Sequence, residues 1–244
     1  SGQSTLSGYP AGTVNRHDFS ANGWDQNGGT AMSRGNWTAA ANVIMGESSP
    51  VNVANQTSLD LANGALSAVT EVYYTGNSAV STNKLNVVLL QNNVPGPQTG
   101  GASYNPSAIL PNGDYNHNHM LRHMFTGQWG ESIDTTTTGY FKSVTHNYTV
   151  PANYTGVATS LTDMEVSVFV AEGNQEIITG AKAAMTYITP PNALNVSTSN
   201  AQYGSADYCA NGTTFTPAFD AVNQTANVVT SIEAQYSVNG GTPV

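Results

Sequence analysis

The chain has 244 residues, of which 39% are hydrophobic and only 9% charged, with a formal net charge of −9. Soluble domains usually carry about 25% charged residues; here Asn, Thr, Ser and Gly take that place, and these belong to strands and turns more than to helix surfaces. The six basic residues are scattered as Arg16, Arg34, Lys84, Arg122, Lys142 and Lys182, which gives no footprint for nucleic acid or an anionic membrane, and no apolar run nears the roughly 20 residues of a transmembrane helix.

Residues 1–48 read as strand, turn and one helix. Tyr9-Pro10 opens a short β-type run, and an aromatic before proline favours a cis bond. Asn22-Gly23 and Asn27-Gly28-Gly29 signal turns. Ser33 can cap a helix in which Trp37, Ala40, Ala41 and Ile44 form one apolar stripe, ended by Gly46 and Pro50.

From Pro50 the period becomes two. Strands are expected at Val51–Leu61, Leu66–Tyr74, Leu85–Gln91, Tyr140–Val150, Met164–Ala171 and Glu176–Thr189. Val166, Val168 and Val170 share one face opposite Glu165 and Ser167, and Gly173-Asn174-Gln175 makes a hairpin turn. Asp163 and Glu165 read as solvated edge charges. Asn92–Ile133 reads as one long irregular excursion, and loops of that length carry function or cryptic structure. Pro190-Pro191 marks a boundary. Beyond it, Leu194–Ser197, Phe215–Phe219, Val228–Ile232 and Ala234–Val238 begin a second β pattern that stops short of a sandwich of about 100 residues. Both ends read as cut from something larger. Cys209 stands alone, so no internal disulfide or CxxC pair can form, and a small buried apolar role suits it.

Within the excursion, Tyr115-Asn116-His117-Asn118-His119-Met120-Leu121-Arg122 is followed by Gly127-Gln128-Trp129-Gly130-Glu131. Together with Gly8-Tyr9-Pro10-Ala11-Gly12-Thr13-Val14-Asn15-Arg16 and the Met164–Ala171/Glu176-Ile177-Ile178 hairpin, this resembles the twenty-eight-kilodalton outer-membrane protein family of Bacteroidetes over roughly residues 8 to 188. The resemblance implies an order of domains. Residues 1–48 would be the C-terminal half of a thioredoxin-like α/β domain with Pro10 as its cis-proline; 49–190 a central Ig-like β-sandwich; 191–244 the start of a further β domain, as in larger proteins exported by the type IX route. The half that normally carries CxxC is not in this chain, so no redox activity is carried over. Pro10, His117, His119, Arg122, Trp129 and Glu131 would be the structural motif residues, at an extracellular or outer-membrane surface.

His117, His119 and His123 form the metal candidate, with Asp114 or Glu131 to complete it. On a strand the first two share a face, while on a helix His119 and His123 lie one turn apart, and neither gathers all three without a bend. Asn112, Asp114, Asn116 and Asn118 alternate oxygen-bearing side chains as calcium loops do, but without an EF-hand's bidentate Glu; a simple turn at Pro111–Asp114 is the plainer reading. No GxSxG elbow or phosphate loop is present. Trp129 reads as a core or corner aromatic, with a sugar-stacking platform as the alternative.

Three functions follow. The first is a non-enzymatic, adhesin-like binding module using no cofactor, whose excursion contacts an extracellular protein or glycan. The second is a structural subunit of an assembly or filament, completed by neighbouring subunits. The third is a metal-dependent enzyme built on His117, His119 and His123.

Overall fold

The period-two pattern after Pro50 becomes two packed sheets in the computed structural model, which describes residues 5–188, 196–202, 218–223, 229 and 231–232. The chain divides into two units, Ser1–Tyr187 and Ile188–Val244. In the first, Phe19, Met32 and Ala40 make a small apolar cluster, with Val14, Trp24, Trp37 and Ile44 packed around it. Strand β1 (Ala11–Gly12) pairs antiparallel with β2 (Met32–Ser33), and helix α1 (Trp37–Met45) follows a 3-10 turn and ends at Gly46. Ser33 does not cap that helix; its hydroxyl accepts a hydrogen bond from Nε2 of Gln26 at 2.9 Å. The Tyr9-Pro10 bond is cis.

The larger core lies between two sheets. Strands β3 (Val51–Asp60) and β4 (Ala65–Tyr74) form a hairpin, and β5 (Asn83–Gln91) crosses to the other sheet. Through the excursion run β6 (Val94–Gly96), a one-turn helix α2 (Gly101–Tyr104), β7 (Tyr115–His117), β8 (Met120–Met124) and β9 (Glu131–Ile133). Then come β10 (Phe141–Thr149), the short pair β11 (Asn153–Tyr154) and β12 (Val157–Ala158), then β13 (Met164–Glu172), β14 (Ile177–Ala183) and β15 (Met185–Ile188). One sheet has the order β10-β4-β3-β15 and the other β14-β13-β5-β8, with β9 also on β5. Their inner faces meet through Val51, Leu59, Leu66, Val72 and Tyr74 from one side and Leu85, Val87, Leu89, Ile133, Val166, Val168 and Val170 from the other. Burying such side chains gives roughly 1.5–3 kcal/mol each before entropy is counted, so this layer holds the unit together.

Two expectations change here. Within the span 176–189 expected as one strand, the described residues form two. Ala184 breaks it, β14 pairs with β13 in one sheet and β15 joins β3 in the other, and the Thr57 hydroxyl donates to the Ala184 carbonyl at 3.1 Å to hold the crossing. The excursion is also less irregular than it reads. It folds back so that β8 and β9 both pair antiparallel with β5, serving together as one interrupted edge strand. Both stretches are short and carry polar residues, so their β character comes from the free edge of β5 and not from their own pattern.

The second unit shows β16 (Val196–Gln202) paired antiparallel with β17 (Ala218–Asn223). Pro190-Pro191, Cys209 and the expected strand Ala234–Val238 lie outside the described residues.

Candidate functional site

Glu165 is the centre of the polar structure around the excursion. It sits on β13, on the face opposite the valines, and is only 5% exposed. Its Oε1 lies 2.6 Å from Nδ1 of His119; Oε2 accepts from Nδ2 of Asn92 at 3.0 Å and forms an ion pair with Nζ of Lys182 on β14. Burial pushes its carboxyl up, but the bonds from Lys182, His119 and Asn92 outweigh that and hold it down to about 2. Glu165 is therefore no solvated edge charge, as its sequence position suggests. It is a buried carboxylate with a full set of donors, and a buried charge is stable only when so paired.

The network extends from both ends of that contact. Asn92 accepts from the backbone N–H of His119 at 2.9 Å, and Asn118 accepts from the N–H of Asn93 at 3.1 Å. Asn93 donates to Asp163 at 2.8 Å and accepts from Asn116 at 3.0 Å. His119 has φ +56°, a left-handed conformation unusual for a side-chain-bearing residue, and the bonds to Asn92 and Glu165 over-determine it. The motif thus closes the two ends of the excursion on each other and on β13.

The three histidines go to different places. His117 is on β7, its ring 5.0 Å from that of Tyr115; His119 is engaged with Glu165; His123 on β8 stacks on Tyr148 of β10 at 3.9 Å and 9°. Asp114 closes a turn, its N–H donating to Oδ1 of Asn112 while its carboxylate accepts from Nδ2 of the same residue at 2.8 Å. Among the described residues, no group of three or more His, Cys, Asp or Glu is placed to hold a metal ion. Of the alternating oxygen-bearing residues, Asn112 and Asp114 close the turn on each other, Asn118 accepts from the N–H of Asn93, and Asn116 turns its Nδ2 to Asn93.

The rest of the motif seals the open edge of the sandwich between β8 and β10. Phe125 packs edge-on against His123 and Tyr148, and the Tyr154 hydroxyl donates to that of Tyr148 at 3.2 Å. Arg122 sits at the bulge where β5 and β8 change register; its Nε donates to Gln91 at 2.9 Å and its guanidinium lies 5.4 Å from the Tyr154 ring. Glu131 reaches across the sandwich edge to Nε2 of His146 at 2.9 Å, a partner the sequence did not single out. Gly130 has φ +81°, and a Cβ there would lie 2.6 Å from the Leu85 carbonyl oxygen, so only glycine fits. Trp129 is 38% exposed and lies outside both apolar cores, which removes the core half of the core-or-corner reading.

The model of the family described as outer membrane protein Omp28 matches residues 2–187. The chain belongs to the Omp28 family. Among solved structures, HBP35 of Porphyromonas gingivalis is similar at 18% identity with a TM-score of 0.55, over 81% of this chain and 61% of that one, so this chain spans less than two thirds of HBP35. A domain of the outer membrane lipoprotein Omp28 from the same organism aligns at 12% identity and a TM-score of 0.38, over 57% of this chain and 90% of that one. No curated protein matches the sequence.

Membership in the Omp28 family places the protein at the outer membrane or cell surface. No described helix is long and apolar enough to cross a membrane. In this Omp28 chain the motif residues His119, Arg122 and Glu131 each find a structural partner on the sandwich; Asn92, Glu165 and Lys182 complete the arrangement, although the sequence analysis took Glu165 for a solvated edge charge and gave Asn92 and Lys182 no role in a site. One signal for them was available. The Gly173 hairpin sets Lys182 opposite Ser167, next to Glu165 on the same outer face.

Proposed function

We propose that this chain is a non-enzymatic, adhesin-like binding module of the outer-membrane surface, in which a rigid sandwich presents the excursion 92–133 to an extracellular protein or glycan. The observation that carries this reading is the locked base of the excursion. Asn92, Asn93, Asn118 and His119 tie its two limbs together and Glu165 fastens them to β13, while the tip between β6 and β7 extends with Tyr104 exposed. A scaffold that fixes a loop base and leaves its tip free is a binding arrangement, because ordering is completed before the partner arrives. The sandwich is read as Ig-like. The order β1, β2, α1 in residues 11–45 is consistent with the closing half of a thioredoxin-like domain, as the family resemblance implies.

Gly96 and Tyr115 are cross-strand partners, so a two-residue turn can replace residues 97–114 without touching the lock. Binding of the full chain and of this variant to intact bacterial cells and to an immobilised glycan panel tests the reading. Loss of binding with an unchanged unfolding transition supports it; unchanged binding overturns it. Self-association that the replacement abolishes would favour the structural-subunit reading instead.

A further inference from the structure

Between the first segment and the excursion runs a groove of about 780 Å³, within the 300–1,000 Å³ range of small-molecule sites. Its walls come from two stretches far apart in sequence: Tyr9, Pro10 and Arg34 on one side, Gln98, Tyr104 and Tyr115 on the other. Two of its tyrosines are strongly exposed, Tyr9 at 86% and Tyr104 at 79%. A lone exposed aromatic needs no explanation, but two on opposite walls of one groove form an apolar surface without a partner.

The rings are held in place. A Cβ on Gly100 would lie 3.0 Å from the Tyr104 ring, and one on Gly101 only 2.8 Å from that of Tyr115, so the two glycines let both rings rest directly on backbone. The Tyr115 hydroxyl accepts from Nδ2 of Asn105 at 2.8 Å. Arg34 lies over the Tyr104 ring with its guanidinium carbon 5.8 Å from the ring centre, within cation–π range. Among the described residues, no carboxylate lines the groove and none pairs with Arg34. In a chain of net charge −9, this groove is a place where one cation goes unopposed.

The geometry points to an acid-bearing oligosaccharide as the ligand of this groove, with pyranose rings lying on Tyr9 and Tyr104 and a sugar carboxylate paired with Arg34. Tyrosine faces match the C–H faces of sugars, and the amide of Gln98 suits hydroxyls. The planar guanidinium fork fits a carboxylate in two hydrogen bonds. Sparse acid groups suit the site better than a dense polyanion, which the rest of the chain repels. The inference rests on the binding-module reading and names the ligand class of its excursion.

Calorimetric titration of the full chain compares a hyaluronan tetrasaccharide, which alternates glucuronate with N-acetylglucosamine, against neutral chitotetraose and a tetraglutamate peptide. Hyaluronan fragments bind most tightly, and Arg34→Gln and Tyr104→Ala each weaken that binding about tenfold, the loss of one good contact. Trp129→Ala leaves it unchanged, and all variants keep the wild-type unfolding transition. Equal affinity for chitotetraose, tighter binding of the peptide, no binding of the acidic fragment, or insensitivity to Arg34→Gln overturns the assignment. If the 97–114 replacement abolishes cell binding while these point variants do not, the binding-module reading stands and this groove is not its site.

Discussion

Glu165 and His119 are 46 positions apart, yet Oε1 of the first lies 2.6 Å from Nδ1 of the second. That contact fastens an excursion of more than twenty residues to a central strand of the sandwich. It gives the histidine-rich motif a structural role: His119 is engaged by the Glu165 carboxylate, while His117 and His123 pack against tyrosines elsewhere.

Removing the carboxylate should cost stability and order unequally. Glu165→Leu takes away one shared acceptor from three groups at once, Nδ2 of Asn92, Nδ1 of His119 and Nζ of Lys182. Breaking a buried charge pair by removing one member costs about 3–5 kcal/mol. The loss falls at the low end, because Lys182 and His119 can rehydrate; denaturant unfolding measures it as a lower midpoint. Lys182→Met, which leaves His119 and Asn92 in place, costs less than half as much.

Acid sensitivity follows with a definite sign. The Glu165 carboxyl is held at about 2, below its ordinary 4.5, so it contributes stability that is complete above 4.5 and is lost as pH falls from there toward 2. Two and a half units correspond to at most roughly 3–4 kcal/mol. Glu165→Gln flattens the stability curve in that window, seen as a smaller fall in midpoint between pH 5 and pH 3 in urea titrations (the pH values are about one unit either side of the ordinary carboxyl range).

His123 acts in a higher window. Burial against Tyr148 pushes its imidazolium below the ordinary 6.5, so the unfolded chain takes up a proton before the folded one does. Stability therefore drops as pH falls below 6.5, until the folded ring also protonates. His123→Phe keeps the stacking, removes that drop, and is neutral or stabilising near pH 5 in the same titration.

The two glycines flanking Gln128-Trp129 differ. Gly127 has φ +70° with open space around its Cβ position, whereas Gly130 has φ +81° and the Leu85 carbonyl 2.6 Å away. Gly127→Ala pays only for the backbone conformation, about 1 kcal/mol. Gly130→Ala also forces β9 away from β5 and costs about 3 kcal/mol or more. Thermal melts that rank the two the other way would contradict the placement of this turn.

Much of the sandwich was readable because Val166, Val168 and Val170, and Tyr140, Val144 and Tyr148, repeat at period two, and burial enforces that phase. Residues 120–124 and 131–133 were not, since their pairing depends on a free edge of β5 that no local pattern announces. Glu165 was misread for the same reason. Its alternation put it correctly on the face opposite the core, but solvent is kept from it by His119 and Asn92, which arrive from another part of the chain. The motif Tyr115–Glu131 pointed to the right region; of the partners that explain it, Glu165 and Lys182 could be paired through the Gly173 hairpin register, while Asn92 and His146 were visible only in three dimensions.

Hydrogen exchange on the full chain, with and without Glu165→Leu, tests the fastening of the excursion most directly. The amides of Asn93 and His119, which donate to Asn118 and Asn92, should exchange at least about tenfold faster in the variant, while those of Val166, Val168 and Val170 stay protected. Equal acceleration of both groups, or no acceleration at His119, would contradict the claim that Glu165 holds the excursion to the sandwich.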